Sequence, residues 1–302
     1  MPAPLTSGAV PSSVCALTCA NLVPVSAPSE HRPPLDPGRL GPDRLPAGVR
    51  LEVVDASPST NAEVARRAVA GEPAGLVLVT EHQTAGRGRL DRVWTTPPRA
   101  CLTFSVLLRP EVPMPRWPWL PLLTGYAVWE VLREHTLTVG LKWPNDVLVA
   151  DRKVAGILVE RHETPVGPAA VVGIGLNVTL TEDELPVPTA TSLLVADGAA
   201  PPREDLLVGL LDRLTAGVAA WEADPAADRQ RAAYARACTT VGRRVRVELP
   251  ASPPLVGRAV DIDPGGRLVV DDGERLVPVG AGDVVHVRPD ARTSYRSDSE
   301  IR

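Results

Sequence analysis

The 302-residue sequence predicts an α+β fold, in which a mixed or antiparallel sheet with flanking helices precedes a small β-rich unit. Three observations predict this fold. Apolar runs typical of buried strands, at residues 75–79, 101–108 and 171–178, are separated by helical patterns. Residues 203–221 place leucines along one face of an amphipathic helix. From Gly242 onward the pattern changes to period two, with Pro and Gly between short segments.

The length allows one large domain and one small domain, and 44% hydrophobic residues suffice for a packed core. The net charge of −4 argues against a protein that coats nucleic acid. No apolar run reaches the ~18 residues that span a membrane. The four cysteines, at positions 15, 19, 101 and 238, form no zinc-binding pattern, so we expect a cytoplasmic protein with reduced thiols.

Residues 1–46 are rich in Pro, Ser and Ala without periodicity, which predicts a disordered N-terminal extension. Its apolar stretch at residues 14–25 follows no Lys or Arg, so we do not expect a signal peptide. No helix-turn-helix pattern occurs there, so we do not expect DNA binding. We predict a catalytic domain at residues 47–238, a second domain at 239–290 and a disordered tail at 291–302.

The stretch Ser57-Pro-Ser-Thr-Asn61 lies between a short strand at residues 51–55 and a helix at residues 62–70. Ser59 or Thr60 is a natural N-cap for that helix. The free amide groups of a helix N-terminus also bind small polar ligands. Capping and ligand binding are both consistent with these residues.

The strand at residues 75–79 leads into a loop that reads Gly86-Arg-Gly-Arg89. Its glycines allow close approach of a ligand, and its arginines offer planar forks that suit carboxylate and phosphate groups. A solvated basic turn is the alternative. Gln83, just upstream, suits a ureido or amide group. Trp94 closes the loop either as a cap on a flat ligand or as a core residue.

Only two of the 32 basic residues are lysines, Lys142 and Lys153. A predicted hairpin at residues 139–160 places both near Asp146, at one end of the sheet. Two lysines and a carboxylate beside an arginine-rich loop suit an anion with Mg²⁺. The alternatives are a turn role for Asp146 and protection of a sheet edge by Lys153. Because lysine occurs only in these motifs, we favour a functional role for Lys153 over the structural alternative.

The apolar strand at residues 171–178 contains Gly173 and Gly175 and ends near Asn177. Glycine in a strand usually marks close approach by a ligand or a backbone. No third glycine opens a helix afterwards, so we do not expect a Rossmann dinucleotide site. Asn is sparse, and three of its four copies lie in the motifs of interest: Asn61, Asn145 and Asn177.

Five motifs together resemble, in order and spacing, those of biotin protein ligases, of the type without an N-terminal DNA-binding domain. They are Ser59-Thr-Asn61, Gly86-Arg-Gly-Arg89, Lys142-Trp-Pro-Asn-Asp146, Lys153-Val-Ala-Gly-Ile-Leu-Val-Glu160 and Val172-Gly-Ile-Gly-Leu-Asn-Val178. The resemblance covers residues 51–289 and implies a catalytic domain like class II aminoacyl-tRNA synthetases, with a C-terminal SH3-like barrel. The loop departs from the family pattern, because Asp91 stands where a further glycine is usual. Asp tolerates a left-handed backbone, but its carboxylate weakens the local positive field.

The resemblance also implies roles for individual residues. It assigns biotin binding to Ser59, Thr60, Asn61, Gln83, Gly86, Arg87, Lys153 and Gly156. It assigns ATP and adenylate binding to Arg87, Arg89, Trp94, Asn145, Lys153 and Asn177, with Gly173 and Gly175 flanking the nucleotide. The implied catalytic residues are Lys153, Arg87, Arg89, Lys142 and Asp146, of which Asp146 would hold Mg²⁺.

The implied reaction has two steps. The carboxylate of biotin attacks the α-phosphate of MgATP to give biotinyl-5′-adenylate, and a lysine of a biotin carboxyl carrier domain of an acyl-CoA carboxylase then displaces AMP. Neither step needs a protein nucleophile, so the cationic residues would stabilise the developing charge. The alternatives are a lipoate or octanoate ligase of the same fold and a biotin-binding regulator without transfer activity. We expect a monomer or weak homodimer, without nucleic-acid or membrane partners.

Overall fold

A computed structural model describes residues 23–24, 32–136, 138–226, 228–249 and 252–287. The larger domain contains, in chain order, β1 (Arg50–Val54), α1 (Thr60–Val69), β2 (Leu76–Thr80), β3 (Gly86–Arg87), β4 (Val93–Trp94), β5 (Cys101–Leu108), α2 (Leu120–Leu132), β6 (Val139–Lys142), β7 (Asp146–Val149), β8 (Arg152–His162), β9 (Ala169–Asn177), α3 (Leu193–Asp197), α4 (Arg203–Ala223) and α5 (Asp228–Ala237). The smaller domain contains β10 (Arg244–Glu248), β11 (Leu255–Ile262), β12 (Leu268–Asp271), β13 (Leu276–Val279) and β14 (Asp283–His286). No helix within these residues is both long and apolar enough to cross a membrane.

Seven strands of the larger domain form one mixed sheet in the order β1-β2-β5-β9-β8-β7-β6. β1 and β2 are parallel, and every other neighbouring pair is antiparallel. A parallel pair needs a crossover connection, which α1 supplies. β7 and β8 are joined by Ala150 and Asp151, whose φ values of 49° and 62° suit the tight turn of a twisted hairpin. The predicted α+β fold with a mixed sheet is confirmed.

Side chains of this sheet alternate between two faces. One face is packed against α2, α4 and α5, and the predicted apolar stripe of α4 is buried there: Leu206, Leu207, Leu210, Leu211, Leu214, Val218 and Trp221. The other face is packed against α1 at one end, through Leu78, Leu107 and Val171. Farther along that face, Ser105 pairs with Gly173, and the next pair is Thr103 with Gly175. These small residues leave open space beside the sheet.

The smaller domain is one antiparallel sheet of five strands in the order β13-β12-β11-β10-β14. It is attached to the larger domain by Trp119 and Trp143, whose indole N–H groups donate to the backbone oxygens of Pro264 (2.7 Å) and Gly266 (3.0 Å). Within the described residues, β13 and β14 do not pair with each other, so the sheet is open and does not close into the predicted barrel. Pro278 lies in β13 and lacks an N–H donor, which is tolerated on an edge strand.

The prediction of disorder is wrong for residues 32–46, which form an ordered strap across the larger domain. Leu35 and Leu40 are buried in its core. The backbone N–H groups of Leu35 and Asp36 donate to the carboxylates of Glu81 (2.5 Å) and Glu204 (2.8 Å), which are themselves buried. The rest of the predicted extension, apart from Val23–Pro24, and the predicted tail at 291–302 lie outside the described residues.

Candidate active site

A cavity of about 1150 Å³ lies beside the part of the sheet where small residues replace apolar ones. The short hairpin of β3 and β4 borders it, and so do residues of β10 and β14 from the smaller domain. Of the residues to which the resemblance assigns a binding or catalytic role, all but Gly86 line it. The lining includes Ser59, Thr60, Asn61, Gln83, Arg87, Arg89, Trp94, Lys142, Asn145, Asp146, Lys153, Gly156, Gly173, Gly175 and Asn177. The fold therefore brings these separated motifs together.

One end of the cavity is formed by the start of α1, and we call residues 59–61 the Ser-Thr-Asn turn. Ser59 is the N-cap, and its Oγ accepts from the backbone N–H of Ala62 (3.3 Å). Gln83 Oε1 accepts from the backbone N–H of Thr60 (3.0 Å). A side chain on Gly86 would collide with the amide nitrogen of Gln83, so this glycine makes room for Gln83. Helix capping and lining of the cavity are thus performed by the same residues.

A chain of polar side chains connects the Ser-Thr-Asn turn to the Gly-Arg-Gly-Arg hairpin. Asn61 Oδ1 accepts from Ser105 Oγ (2.6 Å), and Asn61 Nδ2 donates to Glu160 Oε2 (2.8 Å). The other oxygen of Glu160 lies 3.2 Å from Arg87 Nη2. A side chain on Gly173 would collide with the amide of Asn61, so this glycine makes room for Asn61. The guanidinium of Arg87 is held beside the turn.

The tip of the hairpin is a single 3-10 turn, Arg89–Asp91. The residue with a left-handed backbone there is Leu90, with φ of 54°, and its side chain is exposed. The left-handed position that the sequence suggested for Asp91 therefore belongs to Leu90. A leucine at positive φ is strained, because its Cβ crowds the following carbonyl oxygen.

Arg89 connects the hairpin tip to the sheet and to the smaller domain. Its Nη1 donates to Asn145 Oδ1 (2.9 Å), and Asn145 Nδ2 donates to the backbone oxygen of Ile157 (3.0 Å). Burial lowers the pKa of Arg89, and the nearby carboxylates of Asp146 and Asp283 oppose that shift. A charge that is partly removed from water interacts more strongly with an incoming anion.

The indole of Trp94 lies on the backbone of β8 and β9. A Cβ on Gly175 would lie 2.6–2.9 Å from indole atoms, and a Cβ on Gly156 would lie 3.3 Å from the ring. Both glycines therefore make room for this ring. The indole Nε1 is buried and has no hydrogen-bond partner within the described residues. Buried donors are normally satisfied, so the indole N–H is available to a ligand.

Lys153 and Asp146 form an ion pair in the wall of the cavity. Lys153 Nζ lies 2.6 Å from Asp146 Oδ1 and 5.7 Å from the centroid of the Trp94 ring. A bulge brings Lys153 to this face. In a regular strand, residues three apart point to opposite faces, but the register of β8 against β7 shifts between the partners of Val147 and Leu148. Lys153 therefore lies on the same face as Gly156.

The smaller domain contributes the far end of the cavity. The pKa of His286 is lowered to about 4 by burial and then by the positive charges of Lys142 and Arg243, while Asp151 opposes the shift. His286 Nε2 lies 3.0 Å from Thr240 Oγ1, which also accepts from the backbone N–H of Trp143 (3.1 Å). The neutral imidazole thus connects β14 to the segment that carries Lys142.

Asn177 lines the cavity, but its amide makes bonds inside the fold. Its Nδ2 donates to the backbone oxygen of Thr191 (2.8 Å), and its Oδ1 lies 3.4 Å from Cys101 Sγ. These contacts fix the end of β9 and hence the strand that carries Gly175.

Comparisons with known proteins agree with this geometry. Residues 53–177 match the Biotin/lipoate A/B protein ligase family, and residues 240–287 match the Biotin protein ligase C terminal domain. The chain is 45% identical over 267 residues to the biotin--[acetyl-CoA-carboxylase] ligase of Mycobacterium tuberculosis, covering 85% of this chain and 97% of that protein. The chain belongs to the biotin protein ligase family.

Two further biotin protein ligases extend the comparison. The bifunctional ligase/repressor BirA of Bacillus subtilis is 29% identical over 272 residues, covering 82% of this chain and 79% of that protein. The structure of a biotin protein ligase from Aquifex aeolicus in complex with biotin and ATP is 27% identical with a TM-score of 0.67. That match covers 80% of this chain and 99% of the other, so it extends across both domains.

Some residues of this ligase site were not assigned a role from the sequence. Glu160 is one that could have been assigned, because the period-two pattern that begins at Gly156 places its side chain on the face of the sheet that borders the cavity. Arg92 forms a close ion pair with Asp283, and His286 lines the far end of the cavity. Asp283 and His286 lie in a different domain, and no motif in the sequence connects them with the hairpin.

Proposed function

We propose that this chain is an ATP-dependent ligase that converts biotin and ATP into biotinyl-5′-adenylate and pyrophosphate. It then transfers biotin to a lysine of a biotin carboxyl carrier domain of an acyl-CoA carboxylase. The relative from Mycobacterium tuberculosis is named for ligation to acetyl-CoA carboxylase. The related structure from Aquifex aeolicus contains biotin and ATP. Both names support the proposal.

The Lys153 ammonium is the single observation that carries this proposal. It lines the cavity and lies close to both Trp94 and Asp146. The first step brings two anions together, a carboxylate and the α-phosphate of ATP, and a fixed cation between them lowers the barrier by stabilising the developing charge. Arg89, which is oriented by its hydrogen bond to Asn145, supplies a second cation. Lys142 supplies a third at the far end.

The two ends of the cavity suit the two substrates. The Ser-Thr-Asn turn and Gln83 offer amide and hydroxyl groups, which suit the ureido ring of biotin. Trp94 suits the adenylate, because its ring lies on Gly175 and its indole N–H has no partner among the residues that the structure describes. The hairpin over the cavity would keep water from the reactive anhydride.

Magnesium fits the residues present, and we propose that Asp146 contributes to its binding. Mg²⁺ is typically held by one or two carboxylates and by phosphates of the substrate, so a cage of protein ligands is not needed. Asp146 Oδ1 is buried and, apart from its ion pair with Lys153, has no hydrogen-bond partner within the described residues. When bound with ATP, the ion would neutralise phosphate charge. Asp146 meanwhile holds the Lys153 ammonium in place.

We further propose that the enzyme works in the cytoplasm as a monomer or weak homodimer, without nucleic-acid or membrane partners. Within the described part of the chain, Cys101 and Cys238 are buried and form no disulfide, which suits a reducing compartment. The net charge of −4 disfavours binding to nucleic acid.

Transfer of labelled biotin tests the proposed function directly. The protein is mixed with MgATP, labelled biotin and a purified biotin carboxyl carrier domain, and label in the carrier is followed. We expect label that requires ATP and the carrier's lysine. Retention of biotinyl-adenylate without transfer to any carrier would indicate a regulator. Binding of lipoate in place of biotin would indicate the neighbouring class of ligase.

A further inference from the structure

The ion pair between Arg87 and Glu160 lies at the end of the cavity away from the Lys153 ammonium. One oxygen of Glu160 faces Arg87, and the other accepts from Asn61 in the Ser-Thr-Asn turn. Gly156, four residues earlier in β8, lies under Trp94 and Lys153. At ~3.3 Å per residue the two places are about 13 Å apart. The guanidinium of Arg87 is therefore held beside the Ser-Thr-Asn turn by Glu160, and it is remote from the place where the two anions react.

The hairpin is held from two directions. At its tip, Arg92 forms a close ion pair with Asp283, and Arg89 Nη2 donates to the backbone oxygen of Gly282 (3.4 Å) in the smaller domain. At its stem, Arg87 is bound to Glu160 of the larger sheet. The second contact closes the hairpin on the side of the Ser-Thr-Asn turn.

We propose that Glu160 is a positioning residue for biotin binding, whose ion pair with Arg87 latches the hairpin over the Ser-Thr-Asn turn and slows the release of biotin. This inference rests on the proposed function, because it takes that turn as the biotin site. It gives Arg87 a different task from Arg89 and Lys153: Arg87 closes the pocket, whereas the other two face the reacting anions.

The latch has a modest and recognisable effect. The side chain of Arg87 is 52% exposed and that of Glu160 is 25% exposed, so the pair is partly screened by water. Ion pairs of this kind correspond to about a two- to fivefold change in a rate or affinity. Because the latch does not touch the ligand's carboxylate, its effect is the same for charged and uncharged ligands. It weakens as salt is added.

Ligand release distinguishes the latch from a direct contact. Dissociation of labelled biotin and of its uncharged alcohol is followed by chase with unlabelled biotin, without ATP, for wild type and Glu160→Gln. We expect Glu160→Gln to release both ligands about two- to fivefold faster, with a smaller difference in high salt. The double variant Arg87→Gln with Glu160→Gln should release both ligands no faster than Glu160→Gln alone, because the same contact is already lost. Glu134→Gln removes the carboxylate of an exposed pair with Arg213 and is the matched control.

Several outcomes would overturn the latch. Unchanged ligand release in Glu160→Gln would contradict the latch. Faster release of biotin without faster release of the alcohol would also contradict it, because that result would place Arg87 on the ligand's carboxylate. Hydrogen exchange of the amides at residues 86–94 gives a second measurement that needs no ligand, and we expect faster exchange in Glu160→Gln. A wild-type protein that binds no biotin would contradict the proposed function itself, while exchange at the hairpin still tests the latch.

Discussion

Lys153 Nζ lies 2.6 Å from Asp146 Oδ1, and the two residues belong to the paired strands β8 and β7 of one hairpin. The pair depends on the bulge in β8, which turns Lys153 toward the cavity. Asp146 holds the ammonium at a fixed place before substrates arrive, and a preorganised charge of this kind needs little reorganisation during the reaction. The ion pair is thus the electrostatic centre of the proposed adenylation site.

Replacing Lys153 by Met removes that charge while keeping most of the side-chain volume. Loss of one preorganised donor typically costs ~2.7–4 kcal/mol of barrier, so we expect adenylation to slow by about 10²- to 10³-fold. ATP–pyrophosphate exchange with biotin measures the rate, and circular dichroism checks that the fold is kept. Arg66→Met removes an exposed cation of α1 that pairs with Glu63 one turn earlier, and its rate should match wild type. Normal exchange in Lys153→Met would remove this lysine from the mechanism.

Replacing Gly175 by Ala tests the position of the Trp94 ring. The new methyl group would lie 2.6–2.9 Å from indole atoms, so the ring has to move. Because Trp94 is the proposed platform for the adenylate, we expect the KM for ATP to rise by about tenfold or more, equivalent to ~1.4 kcal/mol. The KM for biotin should change little. Steady-state kinetics with each substrate varied in turn separates the two.

Gly217→Ala is the control for the Gly175 substitution. Gly217 lies in α4, and a Cβ there meets no atom within 4 Å. Alanine favours a helix over glycine by about 1 kcal/mol, so this variant should be as stable as wild type or more stable, with unchanged kinetics. Equal KM values for ATP in wild type and Gly175→Ala would show that the ring is not needed for nucleotide binding.

Two arginines of α4 should differ strongly in their contribution to the unfolding free energy, because one of them, Arg203, is buried and contacts the strap at residues 32–46. Arg203 forms a buried ion pair with Glu81 (2.6 Å) and also donates to the backbone oxygen of Pro33 in the strap. Removing one partner of a buried pair typically costs about 3–5 kcal/mol, because the other charge stays buried. We therefore expect Arg203→Met to lower the unfolding free energy by about 3–5 kcal/mol. Arg213→Met breaks an exposed pair with Glu134 and should lose less than about 1 kcal/mol.

Urea denaturation of both variants measures this difference. Truncation before residue 47 should destabilise the protein in the same direction as Arg203→Met, because Glu81 and Glu204 would lose backbone donors. Similar unfolding free energies for the Arg203 and Arg213 variants would mean that the buried pair of Arg203 with Glu81 contributes little, and an unchanged unfolding free energy in the truncated protein would mean the same for the strap.

The comparison of sequence and structure shows which features local patterns determine. The stripe of α4 and the hairpin that joins Lys142, Asp146 and Lys153 follow from periodicity, so both were predictable. The bulge in β8 was not, because it depends on register against β7 and not on the identity of the bulged residue. The role of Trp94 stayed open because the ring rests on Gly175 in a strand that is distant in sequence.

The strap was misassigned for a related physical reason. Residues 32–46 have no periodicity, and their order comes from isolated apolar anchors and from backbone hydrogen bonds to Glu81 and Glu204. The contact between Arg92 and Asp283 likewise crosses the two domains. Such long-range partners leave no local trace in a single sequence.

His286 predicts a specific dependence of stability on pH. Its pKa is about 4 in the folded protein against an ordinary value of 6.5, chiefly because of burial and then because of Lys142 and Arg243. Between these values the unfolded chain binds a proton that the folded protein does not, so unfolding is favoured as pH falls. The contribution of His286 is complete above pH 6.5 and is lost progressively toward pH 4.

Thermal melting of wild type and His286→Gln between pH 7 and pH 4 measures this contribution. Other acidic groups affect both proteins alike, so we expect the melting temperature of wild type to fall relative to the variant as pH decreases. An NMR titration of the His286 ring should give a midpoint far below 6.5, and Lys142→Met should raise it, because that substitution removes one of the two cations acting on the ring. A midpoint near 6.5 in wild type, or parallel melting curves for the two proteins, would contradict the neutral, half-buried imidazole that connects the smaller domain to Lys142.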